Sequence, residues 1–167
     1  RPEPLLPPPG SYDALACANA SGWSAARLGL PRPELTVMTA QLTDGSAAGR
    51  LRLDSLEGLG TAELAYYSRP DRGWRSRLLP KLRRMRPEVL RRELLARGYH
   101  WDRFVVHANS WYCEQLLGLC GDAPEAAAQI ACKLPSSGLV AAALGLASGR
   151  FEPVILAGFS FELTQAM

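Results

Sequence analysis

The sequence predicts a doubly wound α/β domain, a mostly parallel sheet with helices on both faces. Three observations predict it. Short apolar segments of strand length alternate along the chain with helical ones. The strand segments are continuously apolar rather than alternating, which is the pattern of a sheet covered on both sides. Of 167 residues, 47% are hydrophobic and 21% charged, a balance that suits one globular domain with a substantial core better than two.

The elements follow in order. Arg1 to Gly10 is half proline and reads as an extended lead-in ahead of a single domain over 11–167. Tyr12 to Asn19 (YDALACAN) is an apolar run that closes on turn residues, a buried first strand. Trp23 to Leu28 is a short helix stopped by Gly29 and Pro31. Glu34 to Ala40 (ELTVMTA) is the second strand, Thr43 to Gly49 a polar turn, and Ala62 to Ser68 (AELAYYS) the third strand. Pro87 fits a first helical position, and Glu88 to Arg97 runs from it to a stop at Gly98, with Leu90 and Leu94 as the apolar stripe. His100 falls in an aromatic loop between Tyr99 and Trp101, and Arg103 to Asn109 (RFVVHAN) is the fourth strand. Ser110 caps a helix from Trp111 to Leu119. Asp122 and Pro124 open another helix through Cys132, Ser136-Ser137-Gly138 opens an Ala-rich helix to Ser148, and Pro153 to Phe161 (PVILAGFSF) is the fifth strand.

Charge is uneven. The net charge is +3, yet Arg69 to Arg97 holds eleven of the nineteen Lys and Arg against Asp71, Glu88 and Glu93 only. Like charges at this density repel unless an anion relieves them, so the segment predicts an anionic partner, with peripheral membrane contact through Arg72 to Arg97 as one form. Nucleic acid is disfavoured because no recognised binding motif accompanies the charge. The most apolar run, Leu139 to Ala147, is too short to span a membrane, and no signal peptide is visible. Cys17, Cys113, Cys120 and Cys132 include no C-x-x-C pair. They read as small buried hydrophobes in a reducing compartment, with a disulfide as the alternative. A cytoplasmic protein, peripheral to an inner membrane, is the expectation. The chain opens on Arg1 rather than Met, which suggests processing or trimming.

Two turns carry the candidate chemistry. Asn19-Ala20-Ser21-Gly22 follows the first strand directly, and Ser136-Ser137-Gly138 begins a helix. Helix N-termini present backbone N–H groups without intrahelical acceptors at the positive end of a dipole, Ser adds hydroxyls, and Gly admits a ligand close to the backbone. Together they predict a phosphate site. Read singly, each is more often an N-cap on a tight turn. In parallel sheets ligands bind beyond the carboxyl ends of the strands, so His107, at the end of the fourth strand, is the candidate base, with Asn109 and Ser110 beside it. No P-loop, G-x-G-x-x-G, H-E-x-x-H, G-x-S-x-G or D-x-D motif is present, so no metal or other cofactor is expected.

The strand and turn ALACANASGWS resemble the first strand and N-G-P-S-type turn of bacterial sialyltransferases that use CMP-activated sugars. KLPSSGLVAAALGLASGRFEPVILAGFSFE resembles the later block of that family, in which an S-S-G turn starts a helix and the next strand ends in G-x-D-F, and it is similar to the K-P-[ST]-[ST]-G block of eukaryotic sialyltransferases. CMP-Kdo transferases are an equal namesake. The match covers some thirty to forty residues, at the two ends of the chain.

The resemblance implies a Rossmann-like, metal-independent glycosyltransferase that moves a sialic-acid- or Kdo-like sugar from a CMP donor to an anionic glycan or glycolipid acceptor of a bacterial surface, as in lipopolysaccharide or capsule synthesis. By position it assigns Asn19, Ser21, Gly22, Ser136, Ser137 and Gly138 to the nucleotide, and, more loosely, Gln41. Ser160 stands where the family has Asp, and the family's general-base His lies in a segment after this strand that the sequence does not contain. His107 is then the one candidate base on hand. The alternatives are a non-catalytic α/β interaction module whose basic segment binds an anionic partner, and another phosphate-handling enzyme such as a pyrophosphokinase-like protein.

Overall fold

The computed structural model describes residues 7, 8, 10–67, 86–107, 109–121, 124, 125, 128, 136–149, 154 and 155, with backbone alone at 109–113. The predicted fifth strand, the helix through Cys132, the lead-in and the stretch from Arg69 to Met85 lie wholly or almost wholly outside these residues. So do Ser160 and the side chains of Asn109, Ser110 and Cys113.

Among the described residues, four parallel strands form one sheet: β1 (Ala16–Ala18), β2 (Leu35–Thr39), β3 (Gly60–Tyr67) and β4 (His100–His107), in the spatial order β1-β2-β3-β4. Val37 pairs with Ala18 on one side and Ala65 on the other, and Thr39, Tyr67 and His107 lie in one row across β2, β3 and β4. The α-helices bounded among the described residues are α1 (Ser21–Arg27), α2 (Ala47–Asp54), α3 (Pro87–Leu95), α4 (Asn109–Cys120) and α5 (Ser137–Ala147).

Side-chain alternation divides the core into two layers. Met38, Leu64 and Tyr66 point to one face, where Leu53 and Leu56 of the α2 region and Leu90 and Leu94 of α3 cover them. Leu35, Val37, Ala65 and Tyr67 point to the other, where Leu116 of α4 and Val140, Ala141, Ala143 and Leu144 of α5 cover them. Helices therefore lie on both faces, as the apolar strands predict. After β4, at the far edge, the chain returns and seats α5 against β1 and β2. This reversal makes the sheet doubly wound, and the small residues of α5 let it approach closely.

The local chemistry is legible. α3 starts with Pro87 after an extended Arg86, ends before Gly98 at φ 67°, and buries Leu90 and Leu94 completely. Arg97, just past its C-cap Ala96, donates to Asp54 and Glu93. β4 differs from the central strands because it is an edge of the described sheet and carries charge. Arg103 pairs with Glu63, its register partner, at 3.6 Å, and Asp102 pairs with Arg32 at 3.0 Å. His100 opens this strand instead of lying in a loop.

The expected polar turn over Thr43 to Gly49 is also corrected. A 3-10 turn spans Ala40–Thr43, and α2 begins at Ala47. The Ser46 side chain accepts the Gly49 N–H at 3.0 Å, and Asp44 accepts the Ser46 N–H at 2.8 Å. Gly49 is needed there, since a Cβ would stand 2.9 Å from the Leu42 carbonyl oxygen.

Candidate functional site

β1 is followed directly by a residue in a conformation that few L-amino acids adopt. Asn19 has φ 51°, in the left-handed region where Asn is among the few side chains at ease. Its backbone N–H donates to Val37 O at 2.8 Å, prolonging the ladder by one bond. Its side chain then joins three segments. Oδ1 accepts from the Thr39 N–H at 3.0 Å and from the Thr39 hydroxyl at 3.2 Å, while Nδ2 donates to Ser137 Oγ at 2.5 Å. The two turns singled out in the sequence, 118 residues apart, thus meet at the carboxyl edge of the sheet.

The contact fixes the N-terminus of α5 over the ends of β1 and β2. Ser136 is the N-cap, and its Oγ accepts the Leu139 N–H at 3.3 Å. The N–H groups of Ser137 and Gly138 occupy the first two helical positions, where the helix itself supplies no acceptor. The positive end of the α5 dipole therefore stands at this edge.

Ser21 and Gly22 begin α1, which leaves the same turn toward the opposite face. Ser21 Oγ accepts the Ala18 N–H at 2.8 Å, so this hydroxyl also closes the turn. Gly22 is under no comparable demand: a Cβ there would meet only Leu56 Cδ2, at 3.9 Å. Gln41 is exposed in the 3-10 turn immediately after β2, two residues beyond Thr39. Burial pushes the Cys17 thiol up, an effect the Ser21 hydroxyl opposes, so Cys17 remains a protonated core residue rather than a nucleophile.

His107 ends β4 at the same level as Thr39 and Tyr67. It lies three strands from β1, roughly 14 Å at the usual spacing, so the structure does not bring it into contact with the Asn19–Ser137 pair. Burial depresses its pKa first and Arg103 adds to that, while Glu63 opposes both. The neutral imidazole is favoured, which is the form a base requires. α4 starts at Asn109 just beyond it, so a second helix N-terminus follows this edge.

Thr39 and Tyr67 are the residues sequence reasoning missed. Thr39 ends an apolar strand segment in a residue with two donors, which is the signal available in the sequence. Nothing in the sequence ties Tyr67 to His107 before the register is known. Among the described residues, no group of three or more His, Cys, Asp and Glu side chains could hold a metal ion, and no helix is long and apolar enough to cross a membrane. No protein-family model, curated protein or solved structure matches the chain.

Proposed function

We propose that the carboxyl edge of the sheet is the donor site of a metal-independent glycosyltransferase that uses a CMP-activated sialic-acid- or Kdo-like sugar. One observation carries the reading. The two segments that resemble CMP-sugar transferases converge there through the Asn19–Ser137 hydrogen bond. Gly22 supports it, because packing leaves room for a Cβ at that position, as a ligand's close approach to the backbone requires.

The chemistry follows from the groups present. Cleavage of the donor leaves CMP and an oxocarbenium-like sugar, and the departing phosphate needs donors fixed in advance. The Ser137 and Gly138 N–H groups, the Ser137 hydroxyl and the α5 dipole supply them. The acceptor hydroxyl attacks the anomeric carbon beside the phosphate as the bond from that carbon to the phosphate oxygen breaks, so the donor lies with its phosphate on the β3 side of the α5 N-terminus and the hydroxyl between it and His107. Neutral His107 takes the acceptor proton as the new glycosidic bond forms.

Calorimetric titration with CMP and UMP tests the reading. CMP is expected to bind and UMP to bind more weakly. A folded sample that binds neither, or both equally, refutes the assignment of the donor.

A further inference from the structure

The outer face of one helical layer carries a pattern that the donor site does not use. α1, α2 and α3 connect successive neighbouring parallel strands, which places them on one side of the sheet. Leu53, Leu56, Leu90 and Leu94 turn inward to a common core, and α1 joins at the Gly22–Leu56 approach. The opposite side of each helix looks outward. Large apolar side chains are exposed there: Leu51 by 71%, Leu95 by 55%, Leu28 by 51% and Trp23 by 42%.

Each of these lies beside exposed arginine. Arg27 stacks 4.9 Å over the Trp23 ring and adjoins Leu28, Arg50 and Arg52 flank Leu51, and Arg91 and Arg92 stand one turn before Leu95. The acids of the layer do not balance them. Asp54 and Glu93 are held by Arg97 at 2.9 and 3.0 Å, with Arg92 a more distant partner of Glu93 at 3.5 Å. Over residues 21–28, 47–57 and 86–97, seven arginines (Arg27, Arg50, Arg52, Arg86, Arg91, Arg92 and Arg97) stand against four carboxylates (Asp54, Glu57, Glu88 and Glu93), an excess of three positive charges.

We propose that the outer face of α1, α2 and α3 docks on an anionic phospholipid surface. Arginines at headgroup level neutralise lipid phosphates, while Trp23, Leu28, Leu51 and Leu95 enter the boundary between headgroups and acyl chains. The aliphatic residues decide between partners. A phosphate-lined nucleic acid offers Leu51 and Leu95 nothing to bury against, and single-strand binders present aromatic stacking platforms instead. The surface is separate from the carboxyl edge, so the proposal stands independently of the donor assignment.

Co-sedimentation of the full chain with vesicles tests it, using phosphatidylcholine alone and phosphatidylcholine mixed with phosphatidylglycerol. Binding is expected to the mixed vesicles only and to fall as salt rises. Arg50→Gln with Arg52→Gln should weaken partitioning roughly twenty- to thirtyfold, from about 1 kcal/mol per arginine at an anionic surface. Leu51→Asp should weaken it further than salt alone explains. All these side chains are exposed, so both variants should melt as the parent does. Absence of binding to anionic vesicles at low salt overturns the proposal, as does unchanged binding by both variants. Tighter binding to a single-stranded RNA than to the mixed vesicles overturns it in favour of nucleic acid.

Discussion

Asn19 offers a perturbation that separates stability from ligand binding. Asn19→Ala removes three side-chain hydrogen bonds, two from Thr39 and one to Ser137. At about 1 kcal/mol net for each bond, plus roughly 1 kcal/mol for a Cβ without a polar group at positive φ, the variant should lose about 3–4 kcal/mol. Asn19→Gly loses the same bonds but accepts φ 51°, and should recover roughly 1 kcal/mol of that. Asn19→Asp keeps both bonds from Thr39. Its second oxygen faces Ser137 Oγ, and that hydroxyl can turn to donate. The added charge gains about 0.3–1 kcal/mol from the α5 N-terminus. Its stability should therefore stay within about 1 kcal/mol of the parent. The same carboxylate, about 5 Å from a bound phosphate, costs roughly 3 kcal/mol at an effective dielectric of about 20. Nucleotide affinity should then fall about a hundredfold. Urea unfolding of all three variants, with CMP titration of the Asp variant, reads both quantities. If Asn19→Ala costs less than about 1 kcal/mol, the bond does not hold α5 to the sheet. If Asn19→Asp binds CMP as the parent does, the phosphate is not at this edge.

Other predictions address neighbouring claims. Ser137→Ala should weaken CMP binding by about 1 kcal/mol if its hydroxyl meets the phosphate, and an unchanged affinity in calorimetry removes Ser137 from the site. His107→Ala should abolish transfer while leaving CMP binding intact, and retained turnover excludes His107 as the base. Because burial lowers the pKa of His107, the unfolded chain takes up its proton first as pH falls. The stability this group contributes is fully present above about 6.5, the unfolded value, and is lost as pH drops from there toward the lower folded value. His107→Gln should flatten that part of the stability profile, and an unaltered profile would falsify the assignment. Gly60→Ala brings a Cβ to 2.6 Å from the His100 carbonyl oxygen, and should cost about 1–3 kcal/mol in a urea melt. Gly22→Ala, with its nearest contact at 3.9 Å, should melt like the parent yet bind CMP more weakly.

The parts of the fold legible in the sequence are those set by local chemistry. The LTVMT core of β2 declares itself by its short apolar, β-branched run, α3 by Pro87 and Gly98, and α5 by the Ser136 cap. α2 escaped because its inward side holds Gly49 and Leu53, and Gly49 reads as a turn until the approach of Leu42 explains it. The start of β4, His100 to Asp102, escaped because Asp102 interrupts the apolar run and its partner, Arg32, comes from a distant position. The candidate site was half legible. Both turns could be found one at a time, since a Ser or Gly at a helix start is a local signal. Their meeting could not, because it depends on α5 returning to β1, and the bond between Asn19 and Ser137 has no local trace.

The central claim is that a cytidine nucleotide binds at the carboxyl edge between β1 and the start of α5. Backbone amide shifts of the isotope-labelled chain, followed during a CMP titration, test it most directly. The account predicts the largest changes at Asn19, Thr39, Ser137 and Gly138, with small ones at Arg32 and Thr61 on the opposite edge. Saturable shifts centred on that opposite edge, or none at any CMP concentration, would contradict it.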